Sequence, residues 1–422
     1  MRNHDYFRGK SVTVVGLARS GLSCANLLFD LGAKVSVTDS QDNAITRQNA
    51  SKLRSKEIKA ELGAHTYEFI KGRDLVVISP GVPDSAPPIA WAGDLKVPVK
   101  SEIEIGSIVC PATIIAVTGS CGKTTVTTLI GKILEAEGRR VFTCGNIGNP
   151  FCGEIQDMRE GDFVALEVSS FQLEHIVSFK PKAALILNFS RNHLDRYNNM
   201  EEYITAKKRI FMNQDEGDFL VLNKEDKLSG KIAAEAKAKV IFFSRTSRLT
   251  SNQAAVAAIG GIFGIKEETC QKVFSEFKGL EHRFEFVAEI NRVKFINDSK
   301  ATTVESCKMA LENLSSPVIL IAGGRHKGLD YSGLLSSARG KVKVAILIGE
   351  ARQNIREAFK EELPLEEANT LEEAVGKAYR NAKAGDSVLL SPMCSSFDMF
   401  SSYEERGRAF KKAVNDLLIE EG

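Results

Sequence analysis

Short β-rich runs ending at glycine or proline, each followed by residues with helical apolar spacing, recur from one end of the chain to the other. This alternation limits the fold more than any other feature, because strand–helix–strand repeats build parallel sheets with crossover helices. The first series holds SVTVVG (11–16), KVSVTD (34–39) and DLVVIS (74–79), with the helix-like SCANLLFDLG (23–32) between the first two. A proline-rich patch (Pro83, Pro87, Pro88, Pro98) then runs to Cys110-Pro111, where a boundary is expected. A second series follows with ATIIAVTG (112–119), RVFTCG (140–145), FVALEVS (163–169), AALILNF (183–189), FLVLN (219–223) and KVIFFS (239–244), then a small-residue helix at 252–264. A third begins near Phe286 with VKFINDS, PVILIAGG, VKVAILIG and DSVLLSP, read as buried parallel strands separated by helices. At 422 residues the chain is too long for one core, so three α/β domains are expected, at 1–108, 109–285 and 286–422.

Lys and Arg (56) nearly cancel Asp and Glu (54), so nothing pulls the chain as a whole toward nucleic acid or an anionic membrane. Anion chemistry has to be local. Eight cysteines with no C-x-x-C pair and no metal-like spacing to the six histidines read as reduced thiols rather than a disulfide framework or zinc site. The opening MRNHDYFRGK lacks the apolar stretch of a secretory signal, and no apolar run nears the ~18 residues that span a bilayer. A cytoplasmic protein that binds neither nucleic acid nor membrane is the expectation.

Thr118-Gly119-Ser120-Cys121-Gly122-Lys123-Thr124-Thr125 lies between an apolar strand and an amphipathic helix. Glycines there let backbone N–H groups face phosphates, the helix N-terminus adds partial positive charge, and Lys123 neutralises the β- and γ-phosphates. Thr124 or Thr125 offers a hydroxyl to Mg2+. Val117 stands where the full G-x-x-x-x-G-K-[ST] pattern has its first glycine, so this is a shortened G-x-x-G-K-T-T loop. A nucleoside triphosphate is the expected ligand; a glycine turn with a chance lysine is the competing reading. A second glycine turn, Gly16-Leu17-Ala18-Arg19-Ser20-Gly21, follows the first strand, with Asp39 about 20 residues on at the end of the second. Ala18 replaces the middle glycine of a dinucleotide fingerprint, so a plain turn with no ligand stays open beside a nucleotide-like one. Ser79-Pro80-Gly81 follows the third strand, where open α/β sheets bind ligands.

Three further residues fall where a metal site for a triphosphate is built. Glu167 ends a buried strand, His193 follows the strand AALILNF, and Lys207 sits in the helical AKKRIF segment. Hard oxygen ligands suit Mg2+, which favours Glu167; a lone His193 is an unusual ligand. A capping Glu, a surface His and a solvated basic helix face are the alternatives.

Taken in order, GxxGKTT, Gly145-Asn146-Ile147-Gly148, EVSSFQLE (167–174), NHLDRY (192–197), AKKRIF (206–211), LEHRFE (280–285), NDSKAT (297–302) and SPMCSSFD (391–398) span nearly the whole chain. This series resembles the Mur ligases of peptidoglycan synthesis, and the GLARSGLS turn brings it nearest to their D-glutamate-adding members. The resemblance implies a Rossmann-like N-terminal domain for a UDP-sugar, a central P-loop ATPase-type parallel-sheet domain for ATP, and a Rossmann-like C-terminal α/β domain for an amino acid. It implies a ligase that forms a carbon–nitrogen bond, joining D-glutamate to UDP-N-acetylmuramoyl-L-alanine through an acyl phosphate. Cell-wall biogenesis, and through it cell shape, the cell cycle and division, would depend on that reaction.

Residue by residue, the resemblance gives ATP to Gly119, Ser120, Cys121, Gly122, Lys123, Thr124 and Thr125, with Arg283 and Asp298 at its phosphate and ribose. Lys123, Glu167, His193 and Lys207 would be catalytic. Two Mg2+ sites would be built from Thr124, Glu167, His193 and Lys207, the last as a CO2-derived carbamate. The family's H-N-x-x-N element, which contacts adenine, is missing; the matching stretch is Thr250-Ser251-Asn252-Gln253-Ala254, and Asn252 stands in. Gly16, Leu17, Ser20, Asp39, Ser40, Ser79, Pro80 and Gly81 would bind UDP, with Asn146 and Ser169 on the same substrate. Lys300, Thr302, Lys327, Ser396 and Tyr403 would take D-glutamate. A monomer is expected. Another Mur-type or folylpolyglutamate-type amide ligase, or a nucleotide-binding homologue without turnover, are the competing functions.

Overall fold

A computed structural model describes residues 4–189, 197, 199–315, 317–326 and 328–421, so His193 and Lys327 lie outside the described residues. The chain forms two compact units, Met1–Phe277 and Lys278–Gly422.

The first unit holds two parallel sheets. In the first, β1 (Ser11–Val15), β2 (Lys34–Asp39), β3 (Lys59–Leu62), β4 (Leu75–Ile78) and β5 (Val99–Ser101) take the order β3-β2-β1-β4-β5. In the second, β6 (Thr113–Thr118), β7 (Val141–Gly145), β8 (Phe163–Glu167), β9 (Ala183–Ile186), β10 (Phe219–Asn223) and β11 (Lys239–Phe243) take the order β11-β10-β9-β6-β8-β7. Central strands such as β4 (LVVI) and β9 (AALI) are buried throughout, the pattern of a parallel sheet covered by helices on both faces. One buried apolar cluster runs from Val12 and Val35 of the first sheet, through Ile103 and Phe151, to Ala116 and Leu166 of the second, so the two sheets fold as one body. The first helix spans Arg19–Asp30, starting ahead of its predicted residue 23. Gly21 allows this: a Cβ there would lie 1.8 Å from the Gly16 carbonyl oxygen.

The second unit carries β12 (Glu285–Ile290), β13 (Val293–Asn297), β14 (Val318–Gly323), β15 (Val342–Ile348), β16 (Leu365–Glu367) and β17 (Ser387–Leu390), ordered β12-β13-β17-β14-β15-β16. β12 is antiparallel to β13 and departs from the all-parallel expectation. Asn291 and Arg292, both at positive φ (49° and 64°), make the two-residue hairpin turn that reverses the chain. In each sheet the strand order reverses near the strand that carries a glycine turn, and crevices at such points are where α/β sheets take ligands. Among the described residues, no helix is long and apolar enough to cross a membrane.

Candidate active site

β6 delivers the glycine-rich loop. Gly119 (φ 150°) and Gly122 (φ 84°) take conformations that side-chain-bearing residues rarely adopt, and Gly122 is the N-cap of the helix Lys123–Ala136. That helix has no side-chain cap, so its first amides point toward whatever anion fills the loop. Asn188, just past β9, grips the loop from the side. Its Oδ1 accepts the Cys121 N–H at 2.9 Å, its Nδ2 donates to the Cys121 carbonyl at 3.2 Å, and its carbonyl accepts from Ser120 N–H at 3.0 Å. The Ser120 and Tyr203 hydroxyls meet at 3.0 Å. Lys123 folds back, its Nζ donating to the carbonyls of Gly119 (2.9 Å) and Ser120 (3.1 Å). Its charge therefore sits over the loop itself. Thr124 is buried and Thr125 half-buried in the first turn. A Cβ on Gly122 would lie 2.7 Å from Asn252 Oδ1, which places the Asn252 carboxamide against the loop.

Two buried ionisable groups flank it. Glu167 is 1% exposed at the end of β8; its Oε1 accepts from Asn146 Nδ2 at 2.9 Å, and among the described residues its Oε2 has no hydrogen-bond partner. Lys207, on the helix Met200–Lys208, is also 1% exposed, with Nζ donating to Gly119 O at 3.0 Å and Thr118 Oγ1 at 3.4 Å. Burial, and then the like charge of Lys123, hold its pKa well below the usual lysine value. The result is an amine held toward its neutral, nucleophilic form near the Glu167 carboxylate, whose Oε2 has no partner among the described residues.

A cavity of about 780 Å³ opens at the carboxyl ends of the first sheet. Gly16, Ser20, Asp39 and Ser40 line it, as do Ser79, Pro80 and Gly81 of the turn after β4. Ser79 Oγ donates to the Gly16 carbonyl at 2.9 Å and joins the two turns. Asp39 accepts Leu17 N–H at 2.6 Å on one oxygen and Gln41 N–H at 2.8 Å on the other, so it also shapes the glycine turn. Two residues expected at this substrate have other surroundings. The Leu17 side chain is fully buried in the core, and Ser169 caps the Ser170–Glu174 helix through a reciprocal box with Gln172. Asn146 belongs to both places: it lines the cavity and binds Glu167.

In the second unit, Asp298 follows β13 and is 9% exposed, accepting from Phe284 N–H at 3.1 Å and Ser391 Oγ at 3.2 Å. Burial pushes its pKa up to about 7. Arg283 lies next to Phe284 on the same turn. Lys300 Nζ stands 5.1 Å from the centre of the Tyr403 ring, and Ser299 Oγ donates to the Tyr403 carbonyl at 2.8 Å. Thr302 is half-buried, and Ser396 is buried in the loop after β17, its carbonyl accepting from Met399 N–H at 3.1 Å. Arg406, fully buried, ties these loops together: Nε donates to Ser299 Oγ at 3.0 Å and Nη2 to the carbonyls of Ser299 (2.8 Å) and Cys394 (3.1 Å).

Three family models cover most of the chain: the Mur ligase MurD-like N-terminal domain over residues 10–101, the Mur ligase middle domain over 117–283, and the Mur ligase glutamate ligase domain over 282–394. The chain belongs to the Mur ligase family. A relative from Thermoanaerobacter pseudethanolicus, named UDP-N-acetylmuramoylalanine--D-glutamate ligase, is 40% identical over 97% of this chain and 99% of its own length. One of the same name from Chloroherpeton thalassium is 37% identical over 98% and 100%. Among solved structures, the UDP-N-acetylmuramate-alanine ligase MurC of Thermotoga maritima superposes with a TM-score of 0.59 at 18% identity, covering 97% of this chain and all (100%) of that one. The MurF ligase of the same organism, in complex with ADP, gives 0.57 at 14% identity over 99% and 98%. These two establish the Mur ligase fold.

Sequence reasoning alone missed Asn188 and Tyr203, which hold the glycine loop, and Arg19 and His65, which also line the first-sheet cavity of this Mur ligase. Asn188 and Tyr203 reach the loop only because β9 and the 200–208 helix pack beside it, which no local spacing announces. Arg19 was in plain view inside the glycine turn, as a basic side chain at the start of a helix.

Proposed function

We propose that this chain joins D-glutamate to UDP-N-acetylmuramoyl-L-alanine at the expense of ATP. The observation that carries the reading is Asn146, whose side chain lines the first-sheet cavity and binds Glu167 beside the glycine loop. A nucleotide-linked substrate seated in that cavity has its far end directed toward a triphosphate seated on the loop. The curated name of the full-length relatives supports the choice of D-glutamate.

In this scheme the substrate carboxylate attacks the γ-phosphorus and ADP leaves; the amine of D-glutamate then attacks the acyl phosphate and phosphate leaves. Charge neutralisation dominates such a transfer. Lys123 would exchange its two loop carbonyls for phosphate oxygens, and the amides from Gly119 to Thr125 would surround the triphosphate. The unpartnered, buried Oε2 of Glu167 fits a cation, and with the Thr124 hydroxyl it makes the hard-oxygen set that Mg2+ prefers. Mg2+ would supply neutralisation of the phosphate charge. We assign two such sites, the second completed by His193 and by Lys207 as a carbamate; the neutral-leaning amine of Lys207 is the form that adds CO2. Asn252 is assigned to adenine. Arg283 and Asp298 are assigned to the nucleotide, and Lys300, Thr302, Lys327, Ser396 and Tyr403 to D-glutamate, on the family resemblance. We further propose domains at 1–108, 109–285 and 286–422, and a monomer acting in the cytoplasm.

Phosphate release from ATP, Mg2+ and UDP-N-acetylmuramoyl-L-alanine tests the reading across D-Glu, L-Glu, L-Ala and diaminopimelate. Release with D-Glu alone is expected. Release with another amino acid only, or none from folded protein, refutes it.

A further inference from the structure

β6 and β9 run side by side as far as Thr118 and Ile186, and just past them Leu187 N–H still donates to the Thr118 carbonyl at 3.0 Å. There the glycine loop turns away from the sheet, and backbone alone cannot follow it. Asn188 extends the contact. Its own carbonyl accepts from Ser120 N–H at 3.0 Å, and its side chain then serves both backbone groups of Cys121, accepting the N–H at 2.9 Å and donating to the carbonyl at 3.2 Å. A primary carboxamide offers the same donor and acceptor as a peptide, so this side chain does for Cys121 what a neighbouring strand would do.

The frame that presents Asn188 is itself fixed. Phe189 N–H donates to Asp226 Oδ2 at 2.9 Å, and Asp226 Oδ1 accepts Leu228 N–H at 2.9 Å. On the loop side, a Cβ on Gly119 would lie 2.9 Å from Leu187 Cβ and 3.4 Å from the Asn188 nitrogen, so the loop backbone rests directly on this strand end. Gly119 and Gly122 give the loop its shape at positive φ, and the same freedom leaves it other shapes to visit. Two kinds of bond hold the observed one. The ammonium groups of Lys123 and Lys207 donate to the Gly119 carbonyl, and the Asn188 carboxamide holds Cys121. Lys123 gives up its loop carbonyls when it turns to phosphate oxygens. The Asn188 bonds involve no charged group and require no such exchange.

We infer that Asn188 is a positioning residue for the triphosphate: its carboxamide holds the Cys121–Gly122 turn so that the uncapped amides opening the helix Lys123–Ala136 stay aimed at one point. This rests on the reading of the loop as a triphosphate site. Asn188 acts through Cys121 and Gly122 and touches no reacting atom. It sets the affinity for ATP and leaves the binding of the other two substrates alone.

Two variants of the full chain test the role. Asn188→Ala removes both side-chain bonds and keeps the backbone bond to Ser120; Asn188→Leu does the same at nearly full volume, which sets aside the effect of a cavity. Calorimetric titration with a non-hydrolysable ATP analogue and Mg2+ should show about tenfold weaker binding in both variants, the loss expected for two neutral hydrogen bonds. UDP-N-acetylmuramoyl-L-alanine should titrate with unchanged affinity. In turnover, the KM for ATP should rise by a similar factor while those for the other two substrates hold. Wild-type affinity for the analogue in either variant overturns the inference. So does an equal loss of both ligands, or failure of both variants to fold, since either makes Asn188 a general brace of the unit. If the wild type itself does not bind the analogue, the triphosphate reading of the loop fails, and Asn188 has nothing to position.

Discussion

Glu102 offers a quantitative test of how the two sheets of the first unit are joined. It begins the helix Glu102–Val109, is 1% exposed, and accepts the Cys152 N–H on Oε1 at 2.6 Å; Oε2 is buried and has no hydrogen-bond partner among the described residues. Burial raises its pKa from 4.5 to about 7. At about 1.4 kcal/mol per tenfold, that change corresponds to roughly 3–4 kcal/mol. The folded state holds the proton until about pH 7, whereas the unfolded chain releases it near 4.5. Stability from this group is therefore fully present below pH 4.5 and is lost as pH rises through about 7. About 2–3 kcal/mol of the loss falls between roughly pH 5 and pH 8. Glu102→Gln keeps the acceptor for Cys152 but cannot ionise, so the advantage of wild type over the variant should shrink by that amount across the same range. Urea unfolding followed by the fluorescence of Trp91 suits the measurement. It is the chain's one tryptophan, sits on the helix Pro87–Asp94 of the same unit, and its ring stands 6.0 Å from that of Tyr67. Wild-type and variant stabilities that move in parallel with pH would refute the reasoning.

Other substitutions probe the glycine loop. Lys123→Ala should abolish phosphate release while leaving the urea midpoint within experimental error, because the half-buried ammonium donates to the Gly119 and Ser120 carbonyls of the loop itself; wild-type turnover would remove Lys123 from the chemistry. Lys207→Ala should lose activity and regain part of it when small carboxylates are added; unimpaired turnover would rule out the carbamate. Gly122→Ala forces a side chain to φ 84° with its Cβ 2.7 Å from Asn252 Oδ1, and should cost about 1–2 kcal/mol of stability together with weaker ATP binding by titration. An unchanged ATP affinity and midpoint would mean that the loop is not held in this conformation.

The sheets were legible where burial is complete. Runs such as LVVI at 75–78 and AALI at 183–186 are apolar because both faces are covered. β3 escaped notice because an edge strand needs no apolar run: Lys59 and Ala60 are exposed, and Glu61 and Leu62 half-buried. The antiparallel β12 was hidden for a similar reason, with Phe286 exposed and the hairpin turn written as Asn291-Arg292 without a glycine. In the site, the glycine loop could be read because its chemistry is contiguous. Lys207 could not be separated from Lys208 by composition, yet packing buries the first and leaves the second half-exposed. The tie between Asn146 and Glu167 arises from the pairing of β7 with β8, which brings Gly145 beside Glu167 across the ladder. Such pairings are properties of the sheet order and not of local spacing.

The central claim is that a triphosphate on the Gly119–Thr125 loop activates a carboxylate before an amine attacks it. The most direct measurement uses UDP-N-acetylmuramoyl-L-alanine carrying ¹⁸O in both oxygens of the alanine carboxylate, with ATP, Mg2+ and D-glutamate, and mass spectrometry of the released phosphate. The account predicts one ¹⁸O in each phosphate released. Unlabelled phosphate, with both labels kept in recovered substrate, would contradict it.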